Sequence, residues 1–221
     1  MEGIAVVDKP SGMTSHDVVA IVRRKLRERR VGHAGTLDPL ATGVLIILVG
    51  RSTKMFDKFV AFDKGYQATM KLGVKTASAD IQGSVIEERP WEGITRAAFE
   101  ASLLQFTGAI EQVPPMVSAV KHKGERLYKL ARKGVQVERT ARKIRIDVLR
   151  VLDFSPPLIK FQLECSKGTY VRQVAEDIGE ALKCGACITE IRRTKVGPFT
   201  IEQAVKLEDF NESHLRDWSA S

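Results

Sequence analysis

GHAGTLDPLATGVLIILV, residues 32–49, sets a loop of small residues directly against an apolar run. Three glycines and a proline between Val31 and Gly43 argue against helix or strand there, so the segment reads as a loop. Val44 to Val49 is uniformly apolar and of strand length, the pattern of a buried strand. Loops held on a rigid scaffold are where catalytic residues concentrate. Pro39 lacks a backbone donor and biases Asp38 toward extended geometry, which keeps its carboxylate clear of any helix. On local physics alone the simpler reading is preferred, that Asp38-Pro39 only makes a turn.

Outward from that stretch, Gly3 to Val7 reads as a short buried strand and Lys9-Pro10-Ser11-Gly12 as a turn. Ser15 is placed to cap a helix whose apolar positions Val18, Val19, Ile21, Val22 and Leu26 recur at helical spacing. Tyr66 to Leu72 alternates as a half-exposed strand, and Thr95 suits the cap of a helix through Leu104. Ile144, Ile146 and Val148, then Ile159, Phe161, Leu163 and Cys165, alternate with polar residues and predict two further strands. Val174, Ala175, Ile178 and Leu182 share a helical face, a strand is expected around Ile188 to Arg193, and a last short helix near Ala204. Strands outnumber helices without regular β-α alternation, so the fold class is α+β on a mixed sheet.

With 221 residues, 43% of them hydrophobic, and no linker-like tract, a single domain is expected. No apolar run nears the roughly 18 residues that span a bilayer, and the first residues lack a signal-peptide pattern, which makes the cytoplasm the default location. Cys165, Cys184 and Cys187 are odd in number, and the Cys184–Cys187 pair lacks the two further ligands that zinc demands. The net charge of +8 is concentrated. Between Lys121 and Arg145 stand ten Lys or Arg against two acids, a surplus of eight that equals the whole excess. Clustered positive charge is the footprint of a phosphate-backbone binder, although a solvated face gives the same pattern.

Several chemistries lack their residues. No Gly-Lys-Ser or Gly-Lys-Thr follows the glycines, so a nucleotide cofactor has no cradle. His16, His33, His122 and His214 are too far apart in sequence to make a metal-ligand motif, and there is no nucleophile elbow.

GHAGTLDPLATGVL resembles the signature motif of the TruB family of tRNA pseudouridine-55 synthases. Four other blocks match in the same order: DKPSGMTS from Asp8, GYQATMKLG from Gly65, SKGTYVRQVAEDIG from Ser166 and CGACITEIRRTKVGPF from Cys184. The resemblance implies the pseudouridine synthase fold with a mostly antiparallel central sheet, and it places the family's catalytic aspartate on Asp38. It further implies that Arg172 pairs with Asp38 and that Tyr66 lies against the target base. His33 would fill the space the base leaves, Ile191 would stand as an apolar wall where the family usually has Leu, and Lys9 with Pro10 would support the site. Without the resemblance, Tyr66 reads as sheet packing and Arg172 as a surface ion pair.

By the same resemblance the substrate is the T-arm stem-loop of tRNA, no cofactor or metal is required, and the protein is a monomer. Residues 1–207 are read as the catalytic domain, with a basic insertion at about 113–145, and 208–221 as an acidic tail without the family's usual C-terminal domain. The insertion is expected to grip phosphates through Lys129, Arg132 and Lys133, because a base inside a folded loop must be flipped out at a cost of a few kcal/mol. The competing readings are a non-catalytic RNA chaperone and the same chemistry on another RNA hairpin.

Overall fold

The computed structural model describes residues 1–118, 120–122 and 124–218, and of Lys121 and Arg132 the backbone only. It divides into two units, Met1–Gln67 with Ile191–Ser221 and Ala68–Glu190. The first unit opens with β1 (Gly3–Lys9), α1 (Ser15–Leu26), β2 (Val31–Ala34) and β3 (Thr42–Val49), then α2 (Phe56–Ala61) and the first half of β4 (Lys64–Leu72). β1 pairs antiparallel with β3 from Gly3 opposite Val49 to Lys9 opposite Gly43. Val44 to Val49 is buried throughout, as its uniform apolarity requires.

Two local expectations are corrected here. Val31 to Ala34 is a strand rather than loop, antiparallel to β3 with His33 opposite Ile47. Gly32 keeps ordinary extended backbone, and the chain breaks only at Gly35, whose φ of 83° suits a residue without a side chain. The cap of α1 is Thr14 rather than Ser15: Thr14 and Asp17 form a reciprocal capping box, leaving the buried Ser15 hydroxyl for another use. The helix then buries Val18, Val19, Val22 and Leu26 along one stripe.

The second unit carries the rest of β4, β5 (Val74–Thr76), β6 (Val85–Glu88), α3 (Arg96–Leu103, capped by Thr95 as expected) and β7 (Gly108–Gln112). There follow β8 (Lys121–His122), β9 (Glu125–Arg126), α4 (Leu127–Arg132), β10 (Arg142–Ser155), β11 (Leu158–Cys165) and α5 (Val171–Ala181). On β11 the alternation holds, with Ile159, Phe161, Leu163 and Cys165 all buried. Along β12 (Ala186–Val196) the chain passes back to the first unit, which closes with β13 (Phe199–Thr200) and β14 (Val205–Lys206).

The first unit's part of the sheet runs β14-β1-β3-β12-β4, and the second unit's runs β12-β4-β11-β10-β7. Pairings β1–β3, β2–β3, β7–β10, β10–β11 and β12–β13 are antiparallel, whereas β1–β14 and β3–β12 are parallel. The sheet is therefore mixed and mostly antiparallel, in the α+β class.

Instead of a helix near Ala204 there is one 3-10 turn, Ile201–Gln203, before β14. So short a stretch cannot offset the cost of nucleating a helix, and Val205 pairs opposite Val7. Beyond it, Leu207 and Phe210 are buried, Arg216 bridges to Ile4, and Trp218 packs on Phe59 and Phe199 at the edge of the core of Ile4, Val6, Val44, Ile46 and Leu48. Residues 219–221 of the acidic tail lie outside the described part.

Candidate active site

Asp38 sits half-buried in the loop between β2 and β3, and its neighbours on both sides are tied down by the turn that joins β1 to α1. Before it, the Ser15 hydroxyl donates to the Leu37 carbonyl at 3.2 Å and accepts from the Leu37 N–H at 2.9 Å. After it, the Pro39 carbonyl accepts from the Gly12 N–H at 2.9 Å and from Lys9 Nζ at 3.4 Å, and the Leu40 carbonyl accepts from Ser11 Oγ at 3.3 Å. The turn read from Asp38-Pro39 does form, with the Ala41 N–H donating to the Asp38 carbonyl at 3.0 Å. The sequence blocks around Asp8 and Gly32 are thus one structure, in which the first clamps the second.

Lys9 is fully buried, and its ammonium also donates to the Pro10 carbonyl at 2.8 Å. Burial pulls its pKa down to about 8, with nearby Arg193 adding to the shift and the Asp38 carboxylate opposing it. Lys9 is therefore both a brace beneath the loop and a cation within reach of the Asp38 charge.

His33, on β2, stacks edge-to-face with His16 at 5.1 Å between ring centres. Burial, reinforced by His16 and Arg193, lowers its pKa to about 4, so the imidazole is neutral at pH 7. Its Nδ1 is buried with no hydrogen-bond partner among the described residues. Tyr66 on β4 and Ile191 on β12 are mostly buried, and the Ile191 carbonyl accepts from Thr42 Oγ1 at 3.5 Å. The first unit thus gathers Lys9, His33, Asp38, Tyr66 and Ile191.

Sequence reasoning passed over Arg193. Its side chain is fully buried: Nε donates to the Val44 carbonyl at 2.7 Å, Nη2 to the Gly35 carbonyl at 2.9 Å, and the guanidinium lies against the Tyr66 hydroxyl. Burial lowers its pKa and Tyr66 opposes that shift. Successive residues on a strand face opposite sides, so one of the pair Arg192-Arg193 had to point inward. The glycines of the loop were the other signal. A Cβ on Gly43 would stand 2.1 Å from the Arg193 carbonyl oxygen, and one on Gly35 would press on the guanidinium at 3.4 Å. Arg192 faces the other way, onto Asp8 at 2.8 Å, beside a cavity of about 490 Å³.

Arg172 belongs to the second unit, on α5. It is buried rather than at the surface, with Nη1 donating to the Ser78 carbonyl at 2.6 Å and lying 3.5 Å from Asp80, and Nη2 donating to the Val117 carbonyl at 2.8 Å. Asp80, another residue the sequence reading missed, accepts in turn from Ser78 Oγ at 2.7 Å and from the Gln82 N–H at 3.1 Å.

In the basic segment, buried Leu127 anchors α4 while Lys129 and Lys133 are exposed, Lys133 pairing with Glu125 at 2.7 Å. The Arg132 side chain lies outside the described part. Cys165, Cys184 and Cys187 are buried, free thiols, and no cluster of three or more His, Cys, Asp or Glu suited to a metal occurs among the described residues. No described helix is long and apolar enough to cross a membrane.

The fold is that of a family of enzymes that convert uridine of RNA to pseudouridine. Residues 23–171 match the TruB family pseudouridylate synthase N-terminal domain, and residues 172–219 match the tRNA pseudouridylate synthase B C-terminal domain. The chain belongs to the TruB family. It is 48% identical over 213 residues to the tRNA pseudouridine synthase B of Burkholderia lata, covering 96% of this chain and 66% of that protein. It is 46% identical to the enzyme of the same name from Clostridium tetani, covering 99% of this chain and 75% of that one. A chain in the crystal structure of a Cbf5-Nop10-Gar1 complex superposes with a TM-score of 0.74 at 31% identity, over 94% of this chain and 53% of its own length. Another, in an H/ACA RNP bound to a substrate RNA containing 2′-deoxyuridine, has a TM-score of 0.70 at 27% identity, over 94% of this chain and 51% of that one. The chain therefore spans about two thirds to three quarters of those bacterial relatives, and about half of those structural neighbours.

Proposed function

We propose that the chain isomerises uridine 55 in the T-loop of tRNA to pseudouridine. The uridine is flipped out of the loop, the bond from ribose C1′ to uracil N1 is broken with the help of the Asp38 carboxylate, and the turned uracil joins C1′ through C5. The C5 proton leaves to a base while N1 gains a proton, so one C–N bond is exchanged for one C–C bond with no net change in atoms or electrons. The chemistry calls for no redox partner and no phosphate donor.

In this reading Arg172 is the cation that keeps Asp38 ionised and aimed, Tyr66 lies on the target uracil, and Ile191 walls the pocket. His33, neutral and carrying an unpartnered buried nitrogen, fills the space the base leaves. Lys9 braces the loop from below. Lys129, Arg132 and Lys133 hold the stem-loop phosphates, and the protein acts as a cytoplasmic monomer. The observation that carries the reading is Asp38, a carboxylate on a loop tied down on both sides, in a chain of the TruB family.

The test incubates the purified chain with an unmodified tRNA transcript in the presence of a chelator and maps pseudouridine by base-selective chemical adduction. Conversion confined to position 55 is expected. Conversion in another hairpin would make the substrate assignment wrong, and binding without conversion would favour the RNA chaperone.

A further inference from the structure

Arg193 is a buried cation with no carboxylate in ion-pair contact among the described residues, an arrangement that is unfavourable unless hydrogen bonds offset it. Its bonds are not scattered. Gly35 begins the loop that carries Asp38, and Val44 is the third residue of β3, the strand that follows it, so one guanidinium ties the start of that loop to the strand it runs into. Its remaining face meets the Tyr66 hydroxyl. The backbone of Arg193 is registered as well, since β12 pairs it with Gly43.

We infer that Arg193 is a positioning residue for the isomerisation, a clamp that sets the Asp38 loop and the Tyr66 hydroxyl in fixed relation and holds a positive charge against that hydroxyl. The inference rests on the proposed function for what the clamp serves, while the clamp itself is a property of the first unit. A plain structural cation would be well served by any buried hydrogen-bonding partners. Arg193 instead ties together the two elements that meet the reacting nucleotide, and its planar fork reaches separate acceptors that a lysine ammonium could not satisfy at once. Binding of the RNA stem depends on other surfaces, so loss of the clamp should slow the chemical step and leave affinity nearly intact.

The experiment compares the full chain with Arg193→Lys and Arg193→Met on a T-arm hairpin, and reads the environment of Tyr66 separately by 19F NMR of 3-fluorotyrosine-labelled protein. The chain has three tyrosines, and Tyr66→Phe assigns the resonance. Arg193→Lys, which keeps a cation for folding, should lower kcat by roughly tenfold or more with KM changed less than about threefold. The Tyr66 resonance should shift and broaden. Arg193→Met combined with Tyr66→Phe should be no slower than the worse single variant, because both remove the same contact. Unchanged kcat and an unmoved resonance in folded Arg193→Lys would overturn the clamp, as would losses that multiply in the double variant. A wild-type protein that makes no pseudouridine, yet whose Tyr66 resonance responds to Arg193→Lys, would sink the proposed function and leave the clamp standing.

Discussion

Ser15 and Leu37 exchange two hydrogen bonds, the hydroxyl donating to the Leu37 carbonyl and accepting from its N–H, one residue before Asp38. Both groups are buried, so Ser15→Ala leaves a donor and an acceptor without partners. A loss of about 2 kcal/mol is expected in a denaturant titration, against about 1 kcal/mol for removing the α1 cap in Thr14→Ala. Activity separates the two further: Ser15→Ala should lower kcat, because the loop beside Asp38 loosens, whereas Thr14→Ala should not. Equal kcat losses in both would contradict the pinning role.

Asp80 sits between the Arg172 guanidinium and the turn at Ser78 and Gln82. Asp80→Ala removes a buried charge and two accepted hydrogen bonds together, and should cost about 3 kcal/mol. Asp80→Asn, which keeps an acceptor for Ser78 or Gln82, should recover part of that. A loss under about 0.5 kcal/mol for Asp80→Ala would show that the turn does not depend on it.

The neutral imidazole of His33 predicts a pH signature. Its folded pKa, lowered to about 4 from 6.5, means that the unfolded chain binds more protons between those values. The stability it lends is complete above pH 6.5 and is lost as pH falls through 6.5 toward 4, at a slope approaching about 1.4 kcal/mol per pH unit. Asp177, pushed up to about 6 by burial, slopes the other way over the acid part of this range, so the informative quantity is the difference between wild type and His33→Asn. That difference should grow from pH 4 to pH 6.5. A flat difference would mean that the ring is charged in the folded protein.

If the segment around α4 grips phosphates, neutralising Lys129, Arg132 and Lys133 together should weaken hairpin binding. The dependence of log Kd on log salt should flatten by roughly two units, because each lost phosphate contact removes about 0.7–0.9 of slope. Affinity and slope both unchanged would place the RNA elsewhere.

Much of the fold was legible because its strands carry strong local patterns. The uniform run Val44 to Val49 and the alternation from Ile159 to Cys165 survive as drawn, and Thr95 caps the helix it was expected to cap. The misreadings share a cause. Gly32 looked like a loop residue, Ser15 like a cap and Ala204 like a helix, and in each instance a partner distant in sequence decided otherwise: β3 for Gly32, Leu37 for Ser15, β1 for the residues after Ala204. The site shows the same division. Asp38, Tyr66 and His33 could be given roles from their motifs, whereas Arg193, although it stands in the block from Cys184, and Asp80 act through contacts to Gly35 and Arg172 far away in sequence, and for Arg193 the strand alternation at Arg192-Arg193 and the glycines at 35 and 43 were the signals.

The most direct measurement is single-turnover conversion of a T-arm hairpin by wild type and Asp38→Asn, with hairpin affinity measured on the same samples. Asparagine keeps the size of the side chain and the backbone turn to Ala41 while removing the charge. Conversion should fall by about a thousandfold or more with affinity held within about threefold. Pseudouridine formed at the wild-type rate by Asp38→Asn would contradict the account.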